Sequence, residues 1–340
     1  MKPSTKTWLA TTVAAATALS LAACSSSGSG KSGSSKVAVV IKGLDNPFFQ
    51  TMQSGIQNKA KSDSVSVTIQ AANSITDTTG QADKLAALAN QDYSCFVVNP
   101  ISGTNLIQGI AQLAAKKKTI VNIDSPVDAA AAKSANATIA TYIGTNNVDA
   151  GKLAGKEMAK LLPSGGTVVP IGGISGDVTS AARITGFTQG VASAGHIKVG
   201  PTVAANWDRQ EALTQAQTVL RANPSLAGFF VANDDMALGV SRAVAAAGKT
   251  SKIKIISVDG IKDALTAVKS GQLSAVVAQY PYTIGAMGVE ACKAANAGKK
   301  LPTNVAAPVE LVTKATADKA LAATPKPFGA YTDPFMALTK

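Results

Sequence analysis

The chain has 340 residues, with 32 lysines and arginines against 20 acidic residues, a formal charge of +12, one histidine and three cysteines. So few histidines and cysteines exclude a zinc site. A Ser-His-Asp hydrolase is excluded as well, because His196 lies in a turn (Ala194-Gly195-His196) that reads as surface, and no Gly-x-Ser-x-Gly turn accompanies it.

At the N-terminus, Lys2 and Lys6 precede an apolar run over residues 8–22 that is too short to span a bilayer comfortably. It ends in Leu21-Ala22-Ala23-Cys24. Residues 1–23 are therefore expected to be an export signal, and the small residues before Cys24 resemble a bacterial lipoprotein processing site. In that family the cysteine is lipidated and becomes the mature N-terminus. An ordinary signal peptide with a chance cysteine is the plainer alternative. Residues 24–35, rich in serine and glycine, read as a flexible tether. The Gly-x-Gly-x-x-Gly match within it (Gly28, Gly30, Gly33) follows no strand and so fails as a dinucleotide-binding motif.

From residue 36 onward, short β-branched runs alternate with amphipathic stretches. Strands are expected at 37–41, 65–70, 95–99, 119–124, 138–143, 167–171, 228–231, 253–258 and 275–279. Helices are expected near 48–61, 81–90, 104–116, 148–162, 181–194, 209–222, 236–247, 264–270 and 283–297. Several strands are apolar throughout, as when helices cover both faces of a parallel sheet, so the fold class is α/β, and two open sheets fit the length better than one. Without the signal the charge is +10. With no aromatic interleaving among the lysines, that charge reads as a solvated face near anionic lipid rather than a nucleic-acid surface. Cys95 opens a buried-looking strand and Cys292 lies in a helix; two packed free thiols are favoured over a disulfide between them.

Strands end in Asn99, Asp124, Asn233, Asp259 and Gln279, while Asn46 and Trp207 begin loops that lead into helices. Open parallel sheets bind ligands outside the carboxyl ends of their strands. Asn and Asp also cap helices, which accounts for any one of these positions. Capping does not account for Phe48, Phe49 and Trp207 beside them, when aromatics are only 4% of the chain. Forked polar groups that hold vicinal hydroxyls, with flat faces for the C–H side of a ring, make a sugar or polyol pocket. Asp124 and Asp259 as a catalytic carboxylate pair would be the enzyme alternative, but nothing in the sequence raises the pKa of either.

The soluble part resembles, end to end, the ribose-type periplasmic sugar-binding proteins of ABC importers. The segments that carry the likeness are Asp45-Asn46-Pro47-Phe48-Phe49, Val97-Val98-Asn99-Pro100, Ser180-Ala181-Ala182-Arg183, Asn206-Trp207-Asp208-Arg209, Ala232-Asn233-Asp234-Asp235-Met236-Ala237-Leu238-Gly239, Val258-Asp259-Gly260 and Ala278-Gln279. The resemblance implies two doubly wound lobes joined by a three-stranded hinge, one from residues 36–145 plus 280–310, the other from 146–279 plus 311–340. It implies ligand contacts at Asn46, Phe48, Phe49, Asn99, Asp124, Arg183, Trp207, Asn233, Asp259 and Gln279. It further implies a monomer without enzymatic activity or cofactor, partnered by a membrane permease. Two departures stand out: Ser125 replaces an arginine, enlarging the pocket and removing polar contacts, and Val258 replaces an aromatic face. A same-fold receptor that reports to a sensor protein is the remaining alternative.

Overall fold

A computed structural model describes residues 36–192 and 194–339; the expected signal segment 1–23, the lipidation candidate Cys24 and the tether 24–35 lie outside the described residues. In the first half, strands β1 (Lys36–Ile41), β2 (Ser66–Ala71), β3 (Cys95–Val98), β4 (Thr119–Ile123) and β5 (Thr141–Gly144) alternate with helices α1 (Pro47–Ser62), α2 (Thr78–Ala89), α3 (Ile107–Ala115) and α4 (Ala129–Ser134). The second half runs through α5 (Asn147–Leu161), β6 (Gly166–Gly172), α6 (Val178–Ala192), β7 (Ile197–Val199), β8 (Val203–Ala204), α7 (Arg209–Ala222) and β9 (Gly228–Val231). It continues with α8 (Asp234–Ala246), β10 (Lys254–Asp259), α9 (Lys262–Ser270) and β11 (Ala275–Ala278). The chain ends with α10 (Pro281–Asn296), β12 (Asn304–Ala306), β13 (Glu310–Thr313) and α11 (Ala317–Ala323).

These strands form two sheets, one ordered β12-β5-β4-β3-β1-β2 and the other β13-β11-β10-β9-β6-β7, with β8 pairing β6. All pairings are parallel except β11 with β13. The expected pair of doubly wound parallel sheets is what the chain builds. The all-apolar strands explain why: Val37 to Ile41 are fully buried, so helices must cover both faces. The strand order reverses between β1 and β3 in one sheet and between β6 and β9 in the other, opening a crevice at each carboxyl edge. The chain passes between sheets three times: after β5, after β11 and between β12 and β13. Strands β7, β8, β12 and β13 and helices α4 and α11 are absent from the sequence expectation. The strands have no apolar run beyond two residues, and the helices, of six and seven residues, are too short to show a period.

Glycine seams bring key helices together. Gly151 and Gly155 on α5 face Gly186 and Gly190 on α6; a Cβ at Gly151 would overlap the carbonyl oxygen of Arg183, and one at Gly186 that of Val148. Gly55 on α1 and Gly285 on α10 play the same part in the other lobe, against the carbonyls of Tyr282 and Met52.

The favoured pair of free thiols is corrected: Cys95 and Cys292 form a disulfide, Cα–Cα 5.7 Å, across 197 residues of sequence. Helix α10 follows the second crossing yet packs on β3 and β4 of the first sheet, which brings the two buried sulfurs together. Helix α11 packs on α9 and β13, and a terminal segment follows it. There the Phe328 amide donates to Glu310, the Asp333 carboxyl raises the pKa of Glu290 on α10, and Phe335 is fully buried. Among the described residues no helix is long and apolar enough to cross a membrane, and no metal-binding cluster of His, Cys, Asp and Glu occurs.

Candidate functional site

One cavity, about 560 Å³ of atom-free space with its mouth included, is walled by both sheets' carboxyl edges. The first lobe contributes Lys42, Asn46, Phe48, Phe49, Asp124 and Ser125, with Ile75 and Ile101. The second contributes Asp177, Thr179, Arg183, Trp207, Asn233 and Asp259, with Ile174. Eight of the ten expected residues therefore converge. Asn99 and Gln279 do not line the cavity; both stand directly behind it. The Ser125 amide donates to Asn99 Oδ1 at 3.3 Å, and Gln279 Nε2 donates to Asp259 Oδ1 at 2.8 Å. Among the described residues, buried Gln279 Oε1 has no hydrogen-bond partner.

Capping and site-building prove to be one device. Asn46 Oδ1 accepts from the Phe48 amide at 2.9 Å and Asn233 Oδ1 from the Met236 amide at 3.0 Å, so each caps its helix at the cavity edge. Pro47 at the first helical position of α1 supports the same turn. Phe48 and Phe49, at the start of α1, meet edge to face with centroids 5.2 Å apart. Trp207 lies against the bare backbone of Gly173, where a Cβ would overlap the indole, and the Arg183 guanidinium sits 6.0 Å from its ring.

Arg183 is held through Nε and Nη1. Its Nε donates to Asn147 Oδ1 at 2.8 Å, and its Nη1 donates to the Ala232 carbonyl at 2.6 Å and to Asp259 Oδ1 at 3.2 Å. Both charged partners are about 5% exposed. Burial pushes the Asp259 carboxyl up, against the pull of Arg183. The expectation that nothing raises either carboxylate's pKa is thus revised for Asp259, which is nevertheless committed to Arg183 and Gln279 rather than free to protonate a leaving group. Asp124 (φ 59°), Trp207 (φ 65°) and Asp259 (φ 145°) all have backbones in the left-handed region that ordinary residues avoid. Such strain concentrates at binding sites, where surrounding bonds hold it. At Asp124 those bonds are a 2.6 Å donation from the Tyr142 hydroxyl to its carbonyl and the Asn122 side chain, which bonds Ser125 O and Val127 N.

Sequence reasoning missed Lys42. Its Nζ donates to Ser125 Oγ at 2.7 Å and lies 5.4 Å from the Phe49 centroid. Burial lowers its pKa, while Asp124, Asp177 and Asp259 pull the other way. Lys42 thus brings an ammonium group from two strands away to Ser125, the position where the resemblance implies an arginine. A lone lysine directly after an all-apolar strand is the signal that marked it. Val258 is fully buried in the packing of Phe187 and Phe230, so it is not a cavity wall.

A two-lobed α/β protein with an aromatic and forked-polar cavity between its lobes is the architecture of an extracytoplasmic solute-binding protein. Residues 37–300 match the family described as "Periplasmic binding protein domain", and the chain belongs to that family. It is 38% identical over 277 residues to the D-allose-binding periplasmic protein of Escherichia coli, covering 81% of this chain and 89% of that protein. It is 30% identical to the ribose import binding protein RbsB of Bacillus subtilis, covering 82% and 87%. Among solved structures, an ABC transporter periplasmic solute-binding protein from Actinobacillus succinogenes with bound D-allose matches with a TM-score of 0.79 and 26% identity, covering 83% of this chain and 99% of that one.

Proposed function

We propose that this protein captures a monosaccharide, D-allose being the first candidate and D-ribose the second, and delivers it unaltered to an ABC import permease. The observation that carries the reading is the convergence, in one interlobe cavity, of Phe48, Phe49 and Trp207 with Asp124, Arg183, Asn233 and Asp259. Flat faces take the C–H side of a pyranose, and the buried charged pair takes vicinal hydroxyls through charge-assisted bonds. The relative with the higher identity binds D-allose, which places an aldohexose ahead of a pentose. Ligand that touches both lobes stabilises their closure about the three crossings by its differential affinity. Lipidation at Cys24 would hold the protein at the outer face of the cell membrane as a monomer, and a Cys24→Ser variant would then leave the membrane fraction.

Trp207 is the one tryptophan of residues 36–340. Titrating D-allose, D-ribose and myo-inositol into the mature protein should give a saturable change in its fluorescence, tightest for D-allose, with the sugar recovered chemically intact. Silence across the panel overturns sugar capture; turnover overturns the assignment as a binder.

A further inference from the structure

Behind the second lobe's wall lies a carboxylate that touches none of the cavity. Asp234, the first residue of α8 and fully buried, accepts from Ser257 Oγ at 2.5 Å, from the Gly260 amide at 2.6 Å and from the Ile261 amide at 2.9 Å. These bonds tie α8 to the turn that follows β10. On one side of Asp234 is Asn233, whose cap sets the start of α8; on the other is Asp259, whose left-handed backbone continues into Gly260 at φ 85°. A strained turn of this kind keeps its shape only where neighbouring groups over-determine it, and here one carboxylate supplies acceptors to two consecutive amides.

We propose that Asp234 is the positioning residue of the second lobe: its ionised carboxylate clamps two strand ends in register, so that Asn233 and Asp259 meet the ligand together and affinity depends on the clamp's charge. The inference rests on the sugar-binding reading above and concerns how that same site is held. Oδ2 receives both amides and Oδ1 receives the hydroxyl, an arrangement that fits a carboxylate with acceptors only. A proton there removes one acceptor and weakens the charge that draws the amides in. The charged groups that face Asp234 are Arg183 from α6 and Asp259 from β10. Burial pushes its carboxyl up to about 6, while Ser257, Ile261, Gly260 and Arg183 hold it down. Protonation therefore begins as the medium falls towards that value. Sugar is held at neutral pH and loosened in acid, and by linkage binding expels protons there.

The test is the pH profile of sugar affinity, measured by calorimetry on the mature wild type and on Ser257→Ala. Wild-type affinity should fall about tenfold between pH 7 and pH 5, with protons released on binding near pH 6. Ser257→Ala, which removes a donor to the ionised form, should move the midpoint up by about half a pH unit or more. Loss of packing alone would weaken binding without moving that midpoint; Asp259 faces Asp234 and titrates together with it, so Asp234→Asn, which removes one of the two carboxyls, separates their shares of the step. Asp234→Asn should weaken binding at pH 7.5 by about tenfold or more and abolish the step; should it not fold, Ser257→Ala decides. In the sugar-free protein the Gly260 and Ile261 amide resonances should titrate with the same midpoint. A flat affinity from pH 7 to pH 5, or superimposable profiles for wild type and Ser257→Ala, overturns the inference while leaving sugar binding intact. Amides that do not titrate overturn it too, even if the protein bound no sugar, which by itself would sink the transporter reading.

Discussion

The two lobes wall the same cavity in different ways. In the second lobe the polar groups bond one another: Arg183 reaches Asn147, Ala232 and Asp259, Asp259 reaches Gln279, and Asp234 pins the turn beneath. In the first lobe the wall is two phenyl rings with Asp124 and Lys42, joined through the Ser125 hydroxyl, and Asp124 keeps partial exposure. A network whose buried charges are paired in the fold itself contributes to stability and affinity together, because removing one member leaves a buried charge without its partner. A carboxylate that still faces solvent contributes mainly to affinity. Pre-organisation thus belongs to one lobe, and the other supplies faces and charges for the ligand to complete.

The largest expected effect breaks the second wall. Arg183→Ala should cost about 3–5 kcal/mol of unfolding free energy by stranding Asp259, and sugar binding should be lost by calorimetry. A variant with wild-type denaturant midpoint would remove the contrast between the lobes. Next, replacing both Cys95 and Cys292 by alanine tests whether the first lobe depends on its covalent tie between β3 and α10. A loss of about 2–5 kcal/mol in denaturant unfolding is expected, with affinity within about twofold, since neither sulfur reaches the cavity. Smaller again, Asp124→Ala should weaken sugar about tenfold while its thermal midpoint stays within about 2 °C of wild type.

The smallest effect concerns Glu290 on α10 and the segment after α11. Burial and the Asp333 carboxyl push Glu290 up to about 7, against Lys59. A carboxyl raised in the folded state keeps its proton there after the unfolded chain has released it. Stability is therefore present at the acid end and declines as pH rises from the ordinary carboxylate range through about 7. Thermal scans between pH 5.5 and 8 should show wild type losing about 2 °C or more relative to Glu290→Gln, which holds no titrating proton. Parallel slopes would show that Asp333 and Glu290 do not share one.

Much of this was legible beforehand because it is local. Apolar strands, capped helices and polar residues at strand ends are set by neighbours in sequence, and eight expected residues duly meet in one cavity. Asn99 and Gln279 stand one layer behind it: they follow strands as the others do, but Asn99 turns to the Ser125 amide and Gln279 to Asp259. Strand-end position tells which edge a residue joins, not which way its side chain turns.

By itself the sequence determined the alternation of strands and helices, hence two doubly wound sheets, and the chemistry gathered at their carboxyl edges. Periodicity and capping act over a few residues, so they survive without knowledge of the fold. Only the tertiary structure decided that Cys95 meets Cys292 across 197 residues, that Lys42 stands in beside Ser125 across 83, and that Asp234 braces the turn after β10 across 26. Those partners are chosen by where the crossings return the chain, and no local pattern carries that information.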